Sequence, residues 1–333
     1  MTDIISQSLG LKKPDYQVKN GDIVYQQPYA LGGVRFHNFI YEAPIENLTE
    51  ICRKWFSKSL FMGEVRPIAP YMIVTFGDYK SAASTVSPYN GYGIVPYKEV
   101  IVSFFVMRLR KFLGRWWAQS FCAFVPYIFA DNILPIAQGR EVYGMPKSHG
   151  NIIMPHHLEN SGDFSCSAMS LKQFGPNEIA TENKLINIKA KNTAKSPKSP
   201  INIESEGGHE MYKHISDLLD IKHDGTTILP GIGIGLELYK FIKNKQVPFI
   251  SLKQFRNIGN GKKASTKNAV QFPCQMTGFH GGGIHFHPYE LEVFNNDMFP
   301  IKKDFGLEDR PIESKAAFWM DWDFNFLKGK KIF

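Results

Sequence analysis

Short apolar runs separated by turn residues constrain the fold of this chain more than any other feature. Between Val65 and Ser170, clusters of Gly, Pro, Asn and Asp divide the runs YMIVTF, EVIVSFFVM, SFCAFVPYIF, NIIMP and FSCSAMSL. Similar runs return near the C-terminus as VPFISLKQF, NAVQFPCQMTGF, GIHFHPYELEVF and AAFWMDWDF. This pattern predicts an antiparallel sheet or barrel rather than βαβ units. An aromatic content of 14% agrees, because aromatic side chains favour strands.

Helical patterns flank the predicted strands. In residues 47–56, NLTEICRKWF, the apolar positions share one helix face, and Asn47 with Glu50 resembles an N-cap pair. The segment Lys189–Gly208 is rich in Ser, Pro and Lys and predicts an exposed loop or an insertion. Two amphipathic helices, HEMYKHISDLLD and IGLELYKFIKNK, are predicted after it. We therefore expect one domain over residues 1–333, with a helical and polar insertion at about 175–246.

Charge and composition limit the classes of function. Lys and Arg number 39 against 31 Asp and Glu, a net charge of +8 that suits an anionic partner. No nucleic-acid motif is present, so small acidic substrates are favoured over nucleic acid. Basic residues interrupt the apolar stretch 101–137, which excludes a membrane span of about 20 residues. Scattered cysteines without a CxxC pair, and no signal-peptide pattern, predict a cytoplasmic protein.

Three local motifs each have a functional and a structural interpretation. The segment 230–240, PGIGIGLELYK, lacks the third glycine of a dinucleotide loop, so a glycine-rich helix entry is favoured. The segment 280–288, HGGGIHFHP, has no GxSxG partner and offers His285 and His287 no third metal ligand. A glycine turn leading into a strand is favoured there. The segment 108–117, RLRKFLGRWW, favours a hairpin with a basic face over a lipid or nucleic-acid patch.

Lys147 is the candidate nucleophile, in the segment GREVYGMPKSHG. A lysine of ordinary pKa, ~10.4, is only about 0.04% neutral at pH 7, and burial in an apolar pocket disfavours the charged form. If residues 141–147 are extended, Glu141, Tyr143, Met145 and Lys147 share one strand face, which would desolvate the amine. A neutral amine can add to a ketone and form an imine. A surface lysine without a catalytic role remains the alternative on pattern alone.

Two stretches resemble the signature motifs of the acetoacetate decarboxylase family: DNILPIAQGREVYGMPK (131–147) and VPYKEVIVSF (95–104). Weaker matches lie at 34–52 and 249–255, so the resemblance covers most of the chain outside 175–246. It implies a mainly β (α+β) fold, an antiparallel β-barrel with flanking helices, and a homo-oligomer. It also implies that Lys147 forms a Schiff base and that Glu99 is an active-site acid/base.

The sequence departs from the family pattern at four places. Ser148 stands where the family has a second lysine, and Met145 replaces an aromatic residue. Val34 occupies the place of an expected arginine, with Arg35 next to it, and an acidic residue near Met72 is missing. Members of the wider family with altered pockets resemble pyruvate-handling aldolase-dehydratases. These departures therefore bear on the substrate more than on imine chemistry.

The sequence predicts a Schiff-base lyase that decarboxylates acetoacetate or a related β-keto acid without a metal or organic cofactor. Its partner would be a small anionic keto acid. The predicted catalytic residues are Lys147, as nucleophile, and Glu99, as acid/base or as the group that positions the substrate carboxylate. The predicted supporting residues are Arg140, Glu141, Tyr143 and Met145, with Arg35 to hold a carboxylate. The alternatives are an aldolase or dehydratase using the same lysine on pyruvate, and a non-catalytic ligand-binding protein.

Overall fold

The computed structural model describes residues 15–18, 24–56, 63–113, 115–155, 163–191, 245–285 and 287–332. Both helical patterns predicted after residue 208, and the glycine-rich segment 230–240, lie outside these ranges apart from Lys245.

The described chain forms strands and short helices. The strands are β1 (Tyr29–Glu42), β2 (Gly63–Pro67), β3 (Tyr71–Ser84), β4 (Tyr97–Phe112), β5 (Arg115–Ala130), β6 (Lys147–His149), β7 (Asn151–Ile153), β8 (Phe164–Ser170), β9 (Thr181–Ala190), β10 (Gln246–Arg256), β11 (Ala264–Ile284), β12 (Tyr289–Val293), β13 (Ile312–Glu313), β14 (Ala316–Phe326) and β15 (Lys330–Lys331). The helices are α1 (Ile45–Trp55), α2 (Ile133–Gln138) and α3 (Ile301–Asp304), with a 3₁₀ turn at Tyr89–Gly91 and a π-helical turn at Gly139–Tyr143.

Seven strands close into a barrel. The order is β4, β3, β1, β14, β11, β10 and β5, and β5 pairs again with β4. Neighbours are antiparallel except where β5 pairs with β10, and β6 adds to the same edge of β5 in parallel. A second sheet has the order β13, β12, β9, β8 and β7. The predicted antiparallel barrel with flanking helices is confirmed.

The two faces of the barrel wall pack differently. Val100, Val102 and Phe104 of β4 face a core shared with α1 and the second sheet, which we call the outer core. The opposite face points into the barrel, where Tyr97 belongs to a second cluster built from β1, β3, β11 and β14, the inner core. Because strand side chains alternate, each wall residue faces either the outer core or the barrel interior. Glu99, two residues from Tyr97, therefore faces the interior.

The predicted helix at 47–56 is confirmed as α1, but its predicted cap is wrong. The helix begins at Ile45, Pro44 precedes it, and no side chain caps it. Proline suits this position because its φ is already fixed near the helical value. Asn47 lies inside the first turn, and its amide donates to the Lys303 carbonyl at 3.4 Å.

Part of the segment predicted as an insertion is a strand. Residues 181–190 form β9, which lies between β8 and β12 in the second sheet. The apolar residues Leu185, Ile186 and Ile188 are buried in the outer core, which explains why this segment is extended. Residues 192–244 of the predicted insertion lie outside the described ranges.

The segment 108–117 forms the predicted hairpin, because β4 and β5 pair antiparallel up to Phe112 and Arg115. None of the helices in the described ranges is long and apolar enough to cross a membrane.

Candidate active site

The segment that leads to Lys147 is helical, contrary to the prediction. The side chain of Asn132 accepts a hydrogen bond from the Leu134 N–H at 3.0 Å and caps α2. The π-helical turn follows, and Gly144 ends it with φ of 70°. The chain becomes extended only at Lys147, the first residue of β6. The predicted strand face shared by residues 141–147 is therefore wrong, because the turn is closed by hydrogen bonds that sequence alternation did not indicate.

Lys147 and Glu99 form a buried ion pair inside the barrel. Only 3% of Lys147 and 2% of Glu99 is exposed, and Nζ of the lysine donates to Oε2 of the glutamate. Two charges removed from water are tolerated when they are paired and hydrogen-bonded. The two candidates from separate sequence motifs are thus in direct contact, although 48 residues separate them.

Two tyrosines contact this pair, one by a hydrogen bond and one through its ring. The Tyr79 hydroxyl donates to Oε1 of Glu99 at 3.2 Å, while Tyr97 stacks on Tyr79 with ring centroids 4.2 Å apart. Nζ of Lys147 lies 5.3 Å from the Tyr97 ring centroid, within cation–π range. Burial raises the pKa of both tyrosines well above its usual value, so both hydroxyls stay protonated. Sequence analysis did not select these residues, although Tyr97 belongs to the Tyr-x-Glu motif around Glu99.

Glycine at position 139 makes room for the lysine side chain. A Cβ atom on Gly139 would lie 2.7 Å from Cδ and 2.8 Å from Cε of Lys147. Such contacts are shorter than van der Waals separation, so a larger residue would displace the lysine.

We predict that Gly139→Ala lowers imine formation by Lys147 about 10- to 100-fold, because small misplacements of a reacting group cost rates of that order. The crowded atoms belong to a flexible side chain, so the fold should survive. Trapping kinetics and circular dichroism check both parts. Gly91→Ala is the matched control, since a Cβ there would have no atom within 4 Å. Equal trapping by the Gly139 variant and the wild type would contradict the prediction.

Three of the predicted supporting residues lie beside the pair. Arg140 donates from Nη1 to the Lys147 carbonyl at 2.9 Å. The buried Tyr143 hydroxyl contacts the carbonyls of Phe326 and Leu327 at 3.2 and 3.1 Å, and Met145 is buried in the inner core. Arg140 and Tyr143 therefore anchor the backbone of the segment that carries Lys147.

Glu141 is partly exposed in the same segment, and its charge acts on two neighbours. It adds to the effect of burial in raising the pKa of Tyr29. It also opposes the effect of burial on Lys253, whose pKa is nevertheless lowered. The structure thus places Glu141 close to these residues and not on a common strand face with Lys147.

Arg35 lies away from the pair, which corrects its predicted position. On β1, Val34 and Phe36 belong to the inner core, so Arg35 between them faces outward. Its guanidinium binds both carboxylate oxygens of Asp321, at 2.7 and 2.5 Å, and this hydrogen bonding raises the pKa of Arg35. The structure therefore does not bring Arg35 together with Lys147.

Part of the inner barrel wall near Glu99 is partly exposed. Ile73 on β3, and Ile101 and Ser103 on β4, face inward and stay partly exposed. On the outer face of β4, Val102 is 0% and Phe104 1% exposed. The inner wall is therefore less closely packed at Ile73, Ile101 and Ser103 than at Glu99, which is 2% exposed.

The first five residues of the segment 280–288 form the end of β11 in the barrel wall. Gly283 belongs to β11 and not to a turn, and a Cβ there would lie 2.6 Å from Nε1 of Trp319. His285 follows the strand and stacks on His37, with ring centroids 5.7 Å apart. Among the residues that the structure describes, no three His, Cys, Asp or Glu side chains converge into a group that could hold a metal ion.

The lowered pKa values of these two buried histidines predict that the protein loses stability in acid. Burial lowers the pKa of His37 to about 3 and that of His285 to about 4, both below the value near 6.5 of an unfolded chain. The unfolded state therefore binds protons first, so their stabilisation is present above pH 6.5 and is lost as pH falls towards 4 and 3. Between pH 6.5 and 5 we expect each to lower the free energy of unfolding by about 2 kcal/mol.

Urea denaturation at pH 7 and pH 5 measures this change. His37→Phe should lose less stability between the two pH values than the wild type. An unchanged pH dependence in His37→Phe would contradict the prediction.

Several solved structures have a similar fold. Acetoacetate decarboxylase from Legionella pneumophila superposes with a TM-score of 0.58 at 14% identity, covering 99% of this chain and 95% of that one. An acetoacetate decarboxylase-like enzyme from Sphingomonas wittichii gives 0.54 at 10% identity, covering 96% and 99%. The enduracididine biosynthesis enzyme MppR, complexed with pyruvate, gives 0.50 at 14% identity, covering 92% and 91%.

Comparisons by sequence add nothing to this, because no family model and no curated protein matches the chain. At these identities the structural likeness shows the fold alone. The chain therefore has the acetoacetate decarboxylase-like fold, as the sequence motifs predicted.

Proposed function

We propose that this protein is a Schiff-base lyase that decarboxylates a small β-keto acid through an imine on Lys147. The observation that carries the proposal is the buried contact between Nζ of Lys147 and Glu99 on the inner face of the barrel wall. Burial disfavours the ammonium form of a lysine, and a carboxylate in contact with it can accept the proton that it must lose before it attacks.

Glu99 has two roles in the proposed reaction, first as a proton acceptor and then as a proton donor. The ammonium of Lys147 must lose a proton before it can attack, and the carboxylate in contact with it is the acceptor. The carboxylic acid formed can then return that proton to the hydroxyl of the addition product. General acid–base catalysis of this kind contributes about 10²- to 10⁴-fold to a rate.

The bond changes balance without a cofactor. Nζ adds to the ketone carbon, and loss of one water molecule leaves a protonated imine. The bond between the α-carbon and the carboxylate then breaks, its electron pair moves towards the imine nitrogen, and CO₂ leaves an enamine. Protonation of the enamine carbon and addition of water release the ketone and the free amine. Positively charged nitrogen is the electron sink throughout.

Borohydride trapping tests the proposal. The protein is incubated with acetoacetate, reduced, digested and examined by mass spectrometry. An adduct on Lys147 without the carboxylate is the expected result, since CO₂ leaves before reduction. An adduct that retains the carboxylate would show that Lys147 forms an imine without decarboxylation and would contradict the proposed reaction. If folded protein forms no adduct, the non-catalytic ligand-binding alternative is favoured.

An aldolase or dehydratase using Lys147 on pyruvate is the second candidate. It is favoured by the likeness to MppR, which was solved with pyruvate bound, and by Ser148 at the position of the family's second lysine. The products separate the two functions, because an aldolase would condense pyruvate with an aldehyde into a larger product without releasing CO₂, whereas the decarboxylase would release CO₂ and a ketone from acetoacetate.

Tyr79→Phe is predicted to lower turnover about tenfold with little change in KM. Loss of the hydroxyl frees Oε1 of Glu99, and a hydrogen bond to a charged group contributes about 1.5–3 kcal/mol. Because Glu99 would hold its proton differently, the pH profile of kcat should move as well. Tyr127→Phe is the control, since Tyr127 also donates to a carboxylate, that of Asp304, but outside the barrel interior. Identical pH profiles for both variants would contradict the prediction.

A further inference from the structure

A buried amide without a hydrogen-bond partner lies inside the barrel. Oδ1 of Asn38 accepts from the Thr75 hydroxyl at 2.8 Å, but Nδ2 has no partner among the residues that the structure describes. Asn38 is 6% and Thr75 5% exposed. Because an unsatisfied buried donor costs about 1–3 kcal/mol, such a group indicates a missing acceptor.

Strand register relates this amide to the lysine. Lys147 is level with Ile128 on β5, Ile128 with Ile101 on β4, Ile101 with Thr75 on β3, and Thr75 with Asn38 on β1. These residues form one row around the wall, with Asn38 four strands from Lys147. β6 pairs with the edge of β5 that β10 also uses, so at this level β1 lies four strands from β6 in one direction around the barrel and three in the other, and the two inward-facing residues lie across the lumen.

Asn38 faces the interior together with Phe36, two residues before it on β1, which belongs to the inner core. Ile101 in this row and Ile73 beside it are partly exposed, so the inner wall is less closely packed at the level where the substrate would lie. Among the described residues of this row, Lys147 carries the positive charge and Asn38 carries the side-chain amide. Arg35, the arginine expected to hold a carboxylate, faces outward and is paired with Asp321.

We infer that the Nδ2 amide of Asn38 donates a hydrogen bond to the carboxylate of the substrate whose ketone reacts with Lys147. The substrate class is thus a short keto acid that spans the lumen, with its carbonyl at the amine and its carboxylate at the amide. A neutral donor suits decarboxylation, because a cation would stabilise the carboxylate charge that the reaction removes. This inference rests on the proposed function.

The experiment compares trapping of acetoacetate with trapping of acetone, a ketone without a carboxylate. In Asn38→Leu, the half-saturating concentration of acetoacetate should rise about tenfold or more, because a hydrogen bond to a charged group is lost. Acetone should be trapped as in the wild type. Asn38→Asp, which keeps the size of the side chain, should exclude acetoacetate more strongly and still accept acetone. Asn187→Leu is the matched control, since Asn187 is also 6% exposed but lies in the second sheet.

The outcomes separate this inference from the proposed function. Equal weakening for both ketones in the folded variants would show a structural asparagine and overturn the inference, as would no weakening for either. Trapping of acetone but not of acetoacetate by the wild type would also overturn it while preserving imine chemistry. A wild type that traps neither ketone would overturn the proposed function and the inference with it.

Discussion

Lys147→Met is expected to abolish trapping and turnover, leaving no adduct above background with either keto acid. The substitution keeps the length of the side chain and removes the amine, which is the nucleophile of every proposed step. Mass spectrometry of the reduced protein and an assay of CO₂ release measure the loss. An adduct of undiminished yield on another lysine would contradict the assignment of Lys147.

The same variant is expected to be less stable. Glu99 would remain 2% exposed without its cationic partner, and breaking a buried pair in this way costs about 3–5 kcal/mol. Urea denaturation measures the change in the free energy of unfolding. Lys54→Met is the control, because it breaks the more exposed pair with Asp304 and should cost about 1 kcal/mol or less.

A double variant tests the cause of the instability. Lys147→Met combined with Glu99→Gln removes both charges, so no uncompensated charge is buried. It should recover part of the stability that Lys147→Met loses, without recovering activity. If the double variant is as unstable as the sum of both single variants, the instability has another cause than the unpaired carboxylate.

Glu99→Gln alone is expected to lower turnover about 10²- to 10⁴-fold, the range for loss of a general acid–base group. Glutamine can still contact Nζ of Lys147 and Tyr79, but it cannot accept the proton that the ammonium must lose. Steady-state kinetics measure the effect on turnover. Imine trapping followed over time separates a slow proton transfer from a lost nucleophile, since slow formation to full yield requires an intact Lys147.

Glu64→Gln is the control for this variant. Glu64 pairs with Arg66 on β2, at the edge of the sheet, and a glutamine there should leave turnover within about twofold of the wild type. Normal turnover in Glu99→Gln would contradict the acid–base assignment and would reduce Glu99 to an electrostatic partner of the lysine.

The sequence selected the two residues of the buried ion pair. Lys147 and Glu99 were selected from two motifs, and the structure puts them in contact. Tyr79 and Asn38 were not selected, because Tyr79 lies in no motif and Asn38 lies only in the weaker match at 34–52. Only strand register brings Tyr79 to Glu99 and puts Asn38 in the same row as Lys147. The outward position of Arg35 likewise follows from alternation along β1 and not from its place in the sequence.

The sequence by itself determined the strands, because runs of apolar and aromatic residues between turn residues favour extended backbone locally. It also determined α1, whose apolar residues recur on one helix face. The tertiary structure alone decided that residues 139–143 coil into a π-helical turn and that residues 181–190 complete the second sheet. It also decided which side chains meet inside the barrel. Those outcomes depend on hydrogen bonds and packing between residues far apart in the chain, which no local pattern contains.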